Sequence, residues 1–316
     1  NVEMHGLVIV RHGHVVSEGW WSPYRSEYPH ILNSISKSFT SMAVGFAVEE
    51  KRLSLNDEVS AYFSEEISDV ARKNMSGVTI RHLLVMRTGH LKDPTRYDMN
   101  VGFLNDYPLL HFASEPKQAW VANIMKSPIS DAPGTRFDYN NGASHLLSAI
   151  IHKVTGQTMS EYLQSRLFDP LGIDAPRWDK DPDGVTCGAW GLRLRTEDVA
   201  RFGMLLLNKG IWNGRRILPE SWVEQATSKQ SDTPMNEAAL EWSHGYGYQF
   251  WRGRNGTYRA DGALGQYCIV IPDREAVVAI NSNANDMQVV MDLLWEHLYS
   301  AIIRFQERWR LRSEYG

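Results

Sequence analysis

Two cysteines in 316 residues are too few for a disulfide-stapled scaffold, so Cys187 and Cys268 read as two buried thiols. No run of about 18 apolar residues occurs, which excludes a membrane-spanning helix. A charged start followed by an apolar stretch is also missing. The expected compartment is the cytoplasm, with secretion after removal of a leader as the alternative. Positive charge is in short supply as well: 33 Lys and Arg stand against 37 Asp and Glu, a formal net charge of -4. Such a balance gives no general pull toward a phosphate backbone, so nucleic acid is not an expected partner. The one locally basic segment, RFQERWRLR at 304–312, reads as a solvated helix end. Cys/His clusters at zinc spacing, His-Glu-x-x-His and a glycine-rich phosphate loop are all absent, and no metal or cofactor is expected.

What is present is an ordinary core-forming composition, 43% hydrophobic and 22% charged, enough for one large or two smaller domains. GLVIVRHGHVVSEGWW, 6–21, sets two apolar β-branched runs around His12-Gly13 and predicts a hairpin. From Ser36 the spacing changes to three and four, with Phe39, Met42, Ala43, Phe46 and Ala47 on one helical face. SLNDEVSAYF, 54–63, predicts a second helical piece, and VTIRHLLVMRTGH, 78–90, a short strand running into a helix stopped by Gly89. Residues 91–138 have weak periodicity and read as long loops, where specificity often resides. Further helices are predicted at 142–157, ending at Gly156, at 160–168, and at 196–210 with Thr196 as N-cap. Beyond residue 243 strands return in GYGYQFW, TYRADGALGQYCIVIPD and AVVAINSN, before a terminal helical stripe from Met287. Strands at both ends and helices between predict an α+β fold. Its expected parts are a discontinuous sheet domain of 1–33 with 185–316 and a mainly helical domain of 34–184.

NSISKSFTSM, 33–42, crowds hydroxyl groups and one lysine into the start of a buried helix. Ser34 and Lys37 lie three apart, so one helical turn brings the amine to the serine oxygen. A serine hydroxyl is a weak nucleophile alone, and a buried lysine can take its proton. The competing role for Ser34 is helix capping, and Ser36, Ser38 and Thr40 fit capping or packing. A second Ser-x-x-Lys, Ser114 to Lys117, contains a proline and lacks an apolar helix behind it, so it reads as a chance match. Tyr139-Asn140-Asn141 precedes a strong helix and reads either as a turn with a cap or as chemistry. In the second reading the Tyr139 phenol relays a proton, and the Asn141 amide holds substrate or Lys37. Gly262 in the strand TYRADGALGQYCIVIP marks a close approach to its backbone or a bulge. In the first case the N–H groups of Ala263 and Ser34 could form an oxyanion hole.

Ser34-x-x-Lys37 opening a helix, then IRHLLVMRTGH, Tyr139-x-Asn141 with its helix, FDPLGI and a glycine-bearing strand together resemble the serine β-lactamase and penicillin-binding-protein superfamily. The resemblance covers nearly the whole chain and is nearest to the class C-like branch of esterases, D-amino-acid peptidases and amide hydrolases. It implies a β-lactamase-like α+β fold and a covalent acyl-enzyme without a cofactor. By the same resemblance Ser34 is the nucleophile, Lys37 its activating partner and Tyr139 the general acid/base. It further implies an oxyanion hole from the Ser34 and Ala263 amides, with Asn141, Asp261 and Gly262 on the substrate. One departure stands out: Ala260-Asp261-Gly262 replaces Lys-Thr-Gly or His-x-Gly, which removes the cation that binds a substrate carboxylate.

The expected partner is a small-molecule or short peptide substrate, ester or amide, and the sequence leaves the oligomeric state open. A true β-lactamase or D,D-carboxypeptidase is the rival within enzymes, and a non-catalytic ligand-binding module the rival outside them. His90 reads more readily as a core or polar residue than as part of the cleft. Gln266 is a candidate for supporting the site. Trp20, Trp21, Trp190 and Trp251 are candidates for lining it, though aromatic residues more often fill cores.

Overall fold

The computed structural model describes residues 2–65, 67–91, 93–95 and 120–299. Its strands are β1 (Glu3–Arg11), β2 (His14–Trp20), β3 (His30–Ile31), β4 (Arg177–Trp178), β5 (Leu192–Leu194), β6 (Ile211–Trp212), β7 (Arg215–Arg216), β8 (Trp251–Arg252), β9 (Tyr258–Gly262), β10 (Gln266–Ile271) and β11 (Ala276–Asn283). Six of them form one antiparallel sheet in the order β2-β1-β11-β10-β9-β8, so both ends of the chain build it, as the sequence pattern predicts. The hairpin turns at His12-Gly13, with both residues at positive φ.

Alternation along the strands divides the sheet into two apolar faces. Val8, Val10, Cys268, Val270, Val277 and Ala279 join the main core, while Ile9, Ile269, Ile271, Val278 and Ile280 pack against Val290, Met291 and Leu294 of the terminal helix. The helix Thr196–Leu207 lies on the first face. A Cβ on its Gly203 would come within 2.5 Å of Val277 and 2.8 Å of Cys268, so only glycine allows this approach. Both cysteines are free and buried.

Helix α1 (Ser36–Glu49) runs through the centre of the molecule and is buried from Ser36 to Ala47. Burial on all sides explains why it is apolar beyond a single stripe. Against it packs the helix Asn141–Thr155, capped by the Asn140 side chain and closed by Gly156 at φ 69°.

Several local readings are corrected. Asn141–Thr155 starts one residue before the predicted 142, and the helix after it, Met159–Leu163, widens into a π-helical turn over Gln164–Phe168. Arg195, not Thr196, is the N-cap; Thr196 is already helical and its Oγ1 donates to Asn281 Oδ1 at 2.8 Å. The 54–63 segment holds only a 3-10 turn, Val59–Phe63. The helix Ile80–Leu84 stops well before Gly89 because Met86 takes φ 58°. GYGYQFW alternates like a strand, yet Gln249 at φ 66° breaks it and only Trp251 joins the sheet. Within the predicted loops of 91–138 a helix forms, Trp120–Lys126. The terminal helix is described from Met287 to Tyr299, where its last turns are π-helical. The Ser114–Lys117 match and the basic segment 304–312 lie outside the described residues.

Candidate active site

Three pieces of backbone meet at Ser34. The Leu32 amide donates to the Leu192 carbonyl at 2.8 Å, which ties the approach to α1 onto β5. Asn33 then takes φ 47°, a left-handed conformation that asparagine tolerates, and its Nδ2 donates to the Ala263 carbonyl at 2.8 Å. Ser34 sits in the resulting 3-10 turn, half-buried, with α1 beginning two residues later.

From the first turn of α1, Lys37 Nζ reaches back to Ser34 Oγ at 2.9 Å. The same nitrogen donates to the Ala189 carbonyl at 2.9 Å and stands 4.9 Å from the centroid of the Tyr139 ring. Lys37 is 1% exposed, so these contacts act at low dielectric. Tyr139, over a hundred residues further along the chain, therefore converges with Ser34 and Lys37 at one point.

Gly262 completes that point. A Cβ there would fall 2.2 Å from the Leu32 carbonyl oxygen, 3.0 Å from the Ser34 nitrogen and 3.1 Å from Asn33 Cβ. The end of β9 thus lies directly on the backbone of the turn that carries Ser34. The hairpin beyond it turns through Leu264 and Gly265, both at positive φ, and leaves Ala263 at the strand end, half-buried.

Three further hydroxyls of NSISKSFTSM, those of Ser36, Ser38 and Thr40, have structural partners. Ser36 Oγ donates to the Asn33 carbonyl at 2.7 Å and accepts from the Leu192 amide at 3.1 Å. Ser38 Oγ donates to the Gln249 carbonyl and Thr40 Oγ1 to the Gly188 carbonyl, each at 2.7 Å. They sew α1 to its neighbours in the core rather than facing Ser34.

Asn141 and Asp261 are occupied within the protein. Asn141 Nδ2 donates to Asp93 Oδ2 at 2.9 Å and to Thr95 Oγ1 at 3.3 Å, and its backbone N–H also points at Asp93. Asp261 Oδ2 accepts from Trp242 Nε1 at 2.8 Å and Arg259 Nε at 3.0 Å. Burial raises the Asp261 carboxyl pKa above its usual range, against the opposing pull of Arg259, Trp242 and Lys37. Arg259 gives its other nitrogens to the Glu241 and Arg252 carbonyls.

Among the other candidates, His90 is buried, with Nδ1 2.8 Å from Thr88 Oγ1, and burial lowers its pKa. Gln266 spans Ser282 and Asn281 inside the sheet. Trp190 is a core residue against Trp120, Trp20 packs on Gly6, and Trp21 is exposed. Trp251 alone of the four stacks on Tyr139, with centroids 5.6 Å apart. Sequence reasoning gave no role to Phe137 or Tyr246, which share this cluster, nor to the Ala189 carbonyl on Lys37. The alternation of aromatics in Phe137-Asp138-Tyr139 was the available signal for the first. No sequence signal points to a backbone carbonyl. Among the described residues no three or more His, Cys, Asp or Glu side chains converge as metal ligands do.

The family described as Beta-lactamase matches residues 4–300. This chain belongs to the Beta-lactamase family. It is 22% identical over 316 aligned residues to the 6-aminohexanoate-dimer hydrolase of Paenarthrobacter ureafaciens, covering 94% of this chain and 76% of that protein. To the beta-lactamase of Escherichia coli K12 it is 29% identical over 162 residues, 51% of this chain and 38% of the relative. A lovastatin esterase of Penicillium rubens is 27% identical and matched over 37% of its length, so these last two relatives are spanned for well under half. Among solved structures, a putative 6-aminohexanoate-dimer hydrolase from Bacillus anthracis superposes with a TM-score of 0.80 at 24% identity. That match covers 96% of this chain and 80% of the other. A penicillin-binding-protein homologue from Pyrococcus abyssi superposes with a TM-score of 0.70 at 25% identity, covering 93% and 74%. The fold is β-lactamase-like, and the family is one of serine hydrolases.

Proposed function

We propose that this protein is a serine hydrolase that cleaves esters or amides through a covalent acyl-enzyme on Ser34. The observation that carries the reading is the 2.9 Å contact between Lys37 Nζ and Ser34 Oγ beside the Tyr139 ring. In the first step Ser34 Oγ attacks the substrate carbonyl carbon and its proton passes to the Lys37–Tyr139 pair. The tetrahedral oxyanion is held by the Ser34 and Ala263 amides, a role supported by the close approach of Gly262 to the Ser34 nitrogen. The same pair returns the proton to the leaving group, and water repeats the sequence to release the acyl group.

The substrate class follows from the third strand motif. On β9 the cation is Arg259, and its guanidinium is committed to Asp261 and to two backbone carbonyls. It is 1% exposed. A substrate carboxylate would find no partner there, so the favoured substrates are esters and amides that lack one at that position. The relatives named as dimer hydrolase, esterase and beta-lactamase are compatible with acyl transfer in general.

Labelling with a fluorophosphonate and peptide mass spectrometry tests the reaction type: an adduct on Ser34, lost in Ser34→Ala, is the expected result. Steady-state hydrolysis of short p-nitrophenyl esters against nitrocefin tests the substrate class. Fast nitrocefin turnover with inert esters would make it a β-lactamase instead.

A further inference from the structure

Tyr139 lies on an extended segment whose backbone is fixed from one side. The Asp138 amide donates to the Met86 carbonyl at 2.9 Å, and the Asn140 amide contacts Met86 Sδ at 3.3 Å. Side chains alternate along extended chain, so Phe137 and Tyr139 both project to the other side. There they meet the same two rings. Trp251 lies 5.6 Å from Tyr139 at an interplanar angle of 20° and 5.9 Å from Phe137 at 66°. Tyr246 stands 6.2 Å from Tyr139 at 88° and 5.4 Å from Phe137 at 60°.

This bracket is itself held. Trp251 and Tyr246 are 4.9 Å apart at 81° and are joined by a β-bridge. Trp251 also pairs with Arg259 in the sheet. The indole is therefore anchored to β9, the strand whose far end carries Gly262 against Ser34. Tyr139 has two rotatable side-chain bonds, and a swing about them moves its ring away from Lys37, whose Nζ stands 4.9 Å from the ring centroid. Each stacked or edge-on aromatic contact favours one ring position beyond what area burial alone does.

We propose that Trp251 is a positioning residue: braced by Phe137 and Tyr246, it holds the Tyr139 phenol beside Lys37, so turnover depends on a side chain that does not touch the reacting atoms. The proposal rests on the acyl-enzyme reading above. It makes the aromatic bracket part of the proton-transfer machinery rather than a wall for substrate.

The test compares Trp251→Ala and Trp251→Phe with wild type, using p-nitrophenyl butyrate for turnover and a fluorophosphonate for the adduct. For Trp251→Ala, kcat is expected to fall by ~30-fold, because misplacing a proton-transfer group by an ångström can cost that much or more. The pH–kcat profile is expected to shift while KM changes by less than about threefold. Trp251→Phe, which keeps a ring to stack on, is expected to recover most of kcat and the wild-type pH profile. Ser34 is expected to take the adduct in all three proteins. A raised KM with unchanged kcat and pH profile would make Trp251 a substrate wall and overturn the proposal. Equal losses in both variants with a lowered melting temperature would make it structural, and also overturn it. If wild type never gains the adduct on Ser34, the acyl-enzyme reading fails and takes this proposal with it.

Discussion

Gly262 stands so close to Ser34 that a methyl group on its Cα would lie 3.0 Å from the serine nitrogen and overlap the Leu32 carbonyl. The atoms met are backbone, which cannot swing aside. Gly262→Ala must therefore push the end of β9 away from the turn that carries Ser34. Hydrolysis of p-nitrophenyl esters is expected to fall by ~100-fold or more, the scale on which an oxyanion donor acts. Circular dichroism is expected to remain that of the wild type. Unchanged turnover would separate β9 from the chemistry.

Lys37 is buried, with Nζ 2.9 Å from both the Ser34 hydroxyl and the Ala189 carbonyl and 4.9 Å from the centroid of the Tyr139 ring. Replacing it with an apolar side chain of similar length removes the cost of burying a polar amine. Lys37→Met is expected to lose ~1,000-fold or more in kcat while matching or exceeding the wild-type melting temperature. A large drop in melting temperature would instead mark Lys37 as a structural residue.

Asp261 and Arg259 form an ion pair whose side chains are 6% and 1% exposed. Asp261→Asn leaves the guanidinium without its counter-ion and is expected to cost about 3 kcal/mol in urea unfolding. The double variant Asp261→Leu/Arg259→Met is expected to lose less than the sum of the two single changes, as a double-mutant cycle would show. Additive losses would mean that the pair is not coupled.

His30 stacks among Tyr24 and His5 just before the Ser34 turn, and burial lowers its pKa from 6.5 to about 4, with the His5 charge adding to the effect. A depressed histidine takes up its proton in the unfolded chain first. Stability is therefore expected to fall as pH drops from 6.5 toward about 4, and to level off below that. His30→Phe keeps the stacking and is expected to flatten this part of the profile of urea midpoint against pH. An unaltered profile in the variant would assign the slope to other groups.

Much of this arrangement was legible in the chain itself. Ser34 and Lys37 are three apart where a 3-10 turn runs into α1, so their contact is a local consequence of helical spacing. The hairpin at His12-Gly13, the closing Gly156 and the alternating strands β9 to β11 are likewise short-range features, and the structure contains them all. The errors arose where a longer-range contact overrode a local pattern. Gln249 breaks an apparent strand because its backbone and side chain bond to Leu83 and Leu84 far away in sequence, and its carbonyl accepts from Ser38.

By itself, then, the sequence determined the helical turn that pairs Ser34 with Lys37, and the glycine in β9 that permits close approach. Only the tertiary structure decided what surrounds them: Tyr139 over Lys37, Trp251 on Tyr139, Asn141 bound to Asp93, and Asp261 joined to Arg259. The physical reason is range. Spacing along one helix or strand fixes neighbours a few residues apart, whereas a partner from another element is set by how packed layers align, and that alignment is a property of the whole core.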